Sequence, residues 1–130
     1  MHTVTPSPQL HLAAQGAVDL VMRQIKDVKA CLVSTEDGFE VAASVRNDTD
    51  IARLSAMAGS MAALAAIAGE ETRIGQTHNV VVQAGGGHIV MVQARRKDLS
   101  LVLSIVTGHD AVIGQLLYFS RQTARALELA

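Results

Sequence analysis

His78-Asn79-Val80-Val81-Val82-Gln83-Ala84-Gly85-Gly86-Gly87-His88-Ile89-Val90-Met91-Val92-Gln93-Ala94 opens the stretch that decides the fold, and Leu99-Ser100-Leu101-Val102-Leu103-Ser104-Ile105-Val106 closes it. The residues between Gly85 and Gly87 and between Arg95 and Asp98 break it into three runs, read as strands over 78–84, 88–94 and 99–106. Connections this short favour antiparallel pairing, because a parallel crossover needs a long return segment. In the last run Leu99, Leu101, Leu103 and Ile105 alternate with Ser100, Val102, Ser104 and Val106, and neither set carries a charge. Strands without charge on either side predict a sheet covered on both faces, with helices supplying the cover.

The helices lie around this block. Downstream, Gly108-His109-Asp110 leads into a helix over about 111–129. Upstream, the polar break Asn47-Asp48-Thr49-Asp50 offers capping residues for a helix over about 50–71. Before it, runs at 29–34 and 39–44 flank Glu36-Asp37-Gly38, where Asp bonds its own backbone and Gly tolerates positive φ, so they form a hairpin. At the start, Ser7 caps a helix with Pro8 in its first position, running to about Asp27. Leu10, Ala14, Ala17, Val21, Ile25 and Val28 form its apolar stripe. The order is α-β-β-α-β-β-β-α in one domain over 1–130, with 1–6 as a loose tail.

Composition excludes several classes of function. Hydrophobic residues make up 49% of the chain, enough for a core, but aromatics make up 2%, which leaves no stacking platform for single-stranded nucleic acid. Eleven Lys and Arg balance twelve Asp and Glu, so no excess of positive charge favours DNA or an anionic membrane. Arg95-Arg96-Lys97 reads as a solvated turn. Cys31, the single cysteine, sits in an apolar run and suits a reducing cytosol. No signal-peptide pattern is visible, and the uncharged stretch Leu54–Gly69 is short of a bilayer span, so the expectation is a cytoplasmic protein without membrane insertion.

Two features point to protein binding. In the helix over 50–71, Ile51, Leu54, Met57, Met61, Leu64 and Ile67 gather on one broad side. Ala52, Ser55, Ala56, Gly59, Ala62, Ala63 and Ala66 fill the other, and Arg53 is the sole charge before Glu70. A surface helix ordinarily has a charged outer face, so the small-residue side is expected to be covered by a second surface. Gly59 costs about 1 kcal/mol against Ala inside a helix, and a close helix–helix approach would explain it. An Ala-rich helix whose small side faces water fits the same pattern. The strand at 78–83 has no Lys, Pro or internal charge to discourage edge pairing. It fits a sheet edge that pairs with a partner, and pattern alone leaves an interior strand open. Together these features suggest a homodimer with joined edges and packed helices.

Chemistry finds little support. Gly85-Gly86-Gly87 is followed by a strand instead of the helix N-terminus a phosphate loop needs, and no Gly-Lys-Ser/Thr is present. The five histidines lack metal spacing. Ser60 lies inside a helical pattern and Glu70-Glu71 diverge around a helix, so no catalytic residue, metal or cofactor is assigned. Arg46 and Arg53 border the helix and read as surface charges.

The chain resembles the Roadblock/LC7 family over about Val18–Leu127. The carriers are Ile25–Ser44 with its Asp37-Gly38 turn, the Ala/Leu/Met helix followed by Val80-Val81-Val82 and a glycine turn, and Gly114-Gln115-Leu116-Leu117 entering an Arg-bearing last helix. The resemblance implies an α/β (α+β) fold, a five-stranded antiparallel sheet with the second helix on one face and the first and third on the other. It implies a non-catalytic homodimeric adaptor that binds and regulates a small Ras-like GTPase. Leu54, Ser55, Met57, Ala58, Gly59, Met61, Ala62, Ala65 and Ala66, with Val80, Val81 and Val82, are the residues expected at the dimer or partner interface. The alternative is a profilin- or PAS-like module sensing a small molecule or nucleotide in a cavity between sheet and helix.

Overall fold

The computed structural model describes residues 6–130; except for Pro6, the tail expected over 1–6 lies outside the described residues. Ser7 caps α1 (Pro8–Gln24), its hydroxyl accepting the Leu10 N–H at 3.1 Å. The helix ends three residues before the expected Asp27, because Asp27 takes φ 63° and turns the chain into β1 (Val28–Thr35). Its inward stripe is Leu10, Ala14, Val18, Val21 and Met22; Val18 takes the place given to Ala17, and Ile25 and Val28 are buried beyond the helix.

The remaining elements follow the expected order. They are β2 (Glu40–Val45), α2 (Ile51–Glu71), β3 (Asn79–Ala84), β4 (Gly87–Arg95), β5 (Ser100–Gly108) and α3 (Ile113–Leu129). Gly38 at φ 92° closes the β1–β2 turn, and the Asp50 carboxylate caps α2 by accepting the Arg53 N–H at 3.2 Å. The five strands form one sheet in the order β2-β1-β5-β4-β3, with every neighbouring pair antiparallel.

Alternation along the strands divides the core. Cys31, Val33, Val90, Val92, Leu101, Leu103 and Ile105 face α1 and α3, whereas Leu32, Met91 and Val102 face α2. The sheet is thus covered on both faces, as the charge-free central strands predict. Burial pushes the Cys31 thiol up to about 12, so it stays protonated and inert as a nucleophile.

Four charged residues tie the layers together. Asp27 accepts from Lys29 Nζ at 2.9 Å and from the Asp110 N–H at 3.2 Å, joining the α1–β1 turn to the β5–α3 turn. Arg46, expected as a plain surface charge, donates to the carbonyls of Met22 (3.1 Å) and Val28 (3.3 Å), where it satisfies the C-terminal end of α1. Arg96 donates to Leu127 O at 2.8 Å, close to the end of α3, and Arg95 reaches Thr77 O at 3.2 Å. The Arg95-Arg96-Lys97 run is therefore a solvated turn at Lys97 alone.

The Asp27 contacts set a pH dependence. The hydrogen bond from Lys29 holds its carboxyl below the usual carboxylate range, aided by the Asp110 N–H and against partial desolvation. A depressed folded-state pKa contributes stability that is present above the unfolded value and is lost as pH falls through the folded one. Asp27→Asn keeps a residue that tolerates positive φ. The variant is expected to be less stable than wild type at neutral pH and to converge with it in acid. Urea unfolding across that range checks this; a constant difference at all pH values would contradict it.

Candidate functional site

The inward stripe of α2 is Leu54, Ser55, Ala58, Gly59 and Ala62, all buried against the chain's own sheet and β1–β2 turn. Small residues there let the helix lie close. A Cβ on Gly59 would stand 2.5 Å from the Glu36 carbonyl oxygen and 3.4 Å from Gly38 N. Gly59 is thus explained by contact with the chain's own turn, in place of the helix–helix approach expected from the sequence. Further along, Thr77 Oγ1 donates to Ala65 O at 2.8 Å and Gly69 abuts the backbone of Gly75, which fixes α2 to the segment leading into β3.

This packing rotates the helix away from the sequence expectation. The division into a large apolar side and an opposite small side is corrected, because the buried stripe falls between them. Met57, Leu64 and Ile67 point outward with 52%, 65% and 54% of their surface exposed. Ala56, Ser60 and Ala63 share that outer face, and no charge interrupts it between Arg53 and Glu70. By length and composition α2, with 21 residues and an 18-residue window of mean hydropathy 1.6, is long and apolar enough to cross a bilayer, although its uncharged stretch from Leu54 to Gly69 is shorter than a span. Its inward stripe is nonetheless committed to the sheet. An uncharged apolar face of this extent differs from the scattered single hydrophobes of ordinary surfaces.

Beside it lies β3, at one edge of the sheet. The interior-strand alternative is thereby set aside. Val81 is exposed on this edge, while Val80 and Val82 are half-buried and Val80 packs beneath α2. The edge has neither charge nor proline to prevent another strand from pairing with it.

The residues expected at an interface therefore separate into groups. Leu54, Ser55, Ala58, Gly59 and Ala62 are committed to the chain's own core. Met57 faces outward, Met61, Ala65 and Ala66 are half-buried on the flanks of α2, and Val80, Val81 and Val82 lie along the open edge. Leu64 and Ile67 belong to the outer face, although their size assigns them to the core side in a reading by sequence. The signal that could have found them is the i, i+4 pair Ser55 and Gly59, small enough to admit a backbone turn.

Little else at this surface offers chemistry. A groove of about 470 Å³ follows the Ala63 and Ala66 flank, rimmed by Glu36 and Asp37. The enclosed space between α2 and the sheet, at Ala62, Ala65, Val80, Met91 and Val102, is about 10 Å³. It holds no more than one water, so the metabolite cavity required by the sensing alternative is not found there. Arg53 is exposed and pairs with Asp50 at 3.6 Å. Among the described residues, no three of His, Cys, Asp and Glu come together as a metal site.

No family profile and no curated protein matches the chain by sequence. Solved structures do match. The gliding protein MglB from Thermus thermophilus superposes with TM-score 0.85 at 14% identity, over 99% of this chain and 96% of that one. MglB in a tetrameric arrangement gives 0.86 at 15% identity, over 99% and 95%. The Roadblock/LC7 domain from Streptomyces avermitilis gives 0.78 at 15% identity, over 88% and 94%. The chain has the Roadblock/LC7 fold. The five-stranded antiparallel sheet and the placement of α2 opposite α1 and α3 are those the sequence resemblance implied. At these identities, the likeness is one of fold.

Proposed function

We propose that this chain is a cytoplasmic, non-catalytic homodimeric adaptor whose assembled α2 layer receives a small Ras-like GTPase. One observation carries the reading: α2 presents Met57, Leu64 and Ile67 to solvent on an uncharged face beside the open β3 edge. Leaving such side chains in water forgoes about 1.5–3 kcal/mol each, which a second copy would recover by covering them. A two-fold axis perpendicular to the sheet at the β3 edge would join the two edges antiparallel and keep both α2 helices side by side on one face. The GTPase as partner rests on the family resemblance of the sequence.

Light scattering on the purified chain tests the dimer, with a mass of two chains expected at micromolar concentration. A single-chain mass at that concentration overturns it. The partner is tested by pull-down with a Ras-like GTPase locked in each nucleotide state. Preference for one state is expected, and equal or absent binding counts against regulation.

A further inference from the structure

We propose that the notch between the start of β3, the end of β4 and the outer side of α3 binds a small, compact polyanion. β4 runs on past its ladder with β3, whose last pair is Asn79 with Val92. The open strand edge beyond that pair forms a depression of about 310 Å³ against α3. That volume is in the range of small-ligand sites.

The lining suits a molecule with several negative charges. Val92 and Ala124, both almost wholly buried, form its floor, and His78, Arg95, Arg121 and Arg125 surround it. Arg121 and Arg125 are one turn apart on α3, so both heads reach the same side of the helix. Among the described residues, neither makes an ion pair or a side-chain hydrogen bond. The Arg95 guanidinium is held in place by Thr77 O and Gln93 Oε1, and the Arg95 backbone N–H, free of any β3 partner, donates to Glu128 Oε2 at 2.8 Å. Glu128 is the one carboxylate in the lining and is engaged by that N–H. Three guanidiniums against one carboxylate leave two positive charges in a chain whose net charge is -1. Guanidiniums recognise phosphate and carboxylate oxygens in bidentate fashion.

The charges converge on one depression and do not form a track, which favours a compact ligand over an extended acidic peptide. No α2 residue lines the notch, which meets the proposed dimer face only at His78, beside the start of β3.

Inorganic triphosphate and ATP are the probes, titrated into the full chain by calorimetry and by amide chemical-shift mapping. Saturable binding is expected, with the largest shifts at Arg95, Arg121 and Arg125. ATP and triphosphate should bind with similar affinity, because the buried Val92 and Ala124 leave the base little to contact. Arg121→Gln with Arg125→Gln is expected to weaken binding by at least about tenfold. Arg23→Gln, an exposed arginine on α1, should leave it unchanged. The mapping needs no variant, so poor folding of the double variant would not remove the test. Absent saturation, shifts spread over unrelated basic residues, or an equal loss in Arg23→Gln would each overturn the site. Tighter binding of a poly-glutamate peptide than of either probe would overturn the compact-ligand assignment. The dimer measurement is unaffected by any of these results.

Discussion

Gly59→Ala is expected to destabilise the chain by about 2–3 kcal/mol, although alanine is the better helix former. The added Cβ would stand 2.5 Å from the Glu36 carbonyl oxygen, and the obstacle is backbone on both sides. Neither α2 nor the β1–β2 turn can withdraw freely. The turn is closed by Gly38 N–H to Thr35 O at 3.0 Å and Thr35 N–H to Phe39 O at 2.8 Å, and α2 is held at its other end by Thr77. Gly16→Ala provides the matched control, since a Cβ there meets nothing within 4 Å in the exposed face of α1. It should gain about 1 kcal/mol from helix propensity alone. Urea unfolding of both variants at one protein concentration measures the contrast. If Gly59→Ala proves as stable as wild type, the close contact between α2 and its own turn is wrong.

Met57→Glu combined with Leu64→Glu is expected to convert the dimer to a folded monomer, with association weakened by at least about a hundredfold. Both side chains are more than half exposed within one chain, so their replacement removes little packing from the fold itself. In the proposed dimer the two copies would instead bury four carboxylates, the nearest cation on α2 being Arg53, already paired with Asp50, and buried unpaired charge is among the most costly of substitutions. Leu12→Glu, a change at a 76% exposed position on α1, should leave the mass at two chains. Light scattering reads the mass and circular dichroism reads the fold. A double variant that stays dimeric, or a control that dissociates with it, would move the interface elsewhere.

The architecture was legible because the chain's periodicities are strong where they matter. Leu101, Leu103 and Ile105 alternating with Val102 and Ser104 predict a central strand, and β5 is the middle of the sheet. The Asp37-Gly38 turn and the Ser7-Pro8 cap each name their position through backbone chemistry. The face of α2 was not legible in the same way. Reading it by residue size assigns the largest side chains to the core, and Leu54 obeys. Leu64 and Ile67 do not, because the helix sits so close to Glu36 and Gly38 that small residues must point inward. Arg46 and Arg96 were equally hidden. Their targets, Met22 O and Leu127 O, are far along the chain, and no local pattern marks a guanidinium that will meet a distant helix end.

The bond from Thr77 to Ala65 and the seat of Gly69 on Gly75 bind the approach to β3 to the helix that precedes it. The open strand edge and the apolar helix face therefore move as one rigid plate. Docking such a plate requires no folding step, so little ordering entropy opposes association. It also forbids one half of the contact from slipping while the other holds. Exchange of one partner for another would proceed through full separation, at a rate set by how fast the pair comes apart.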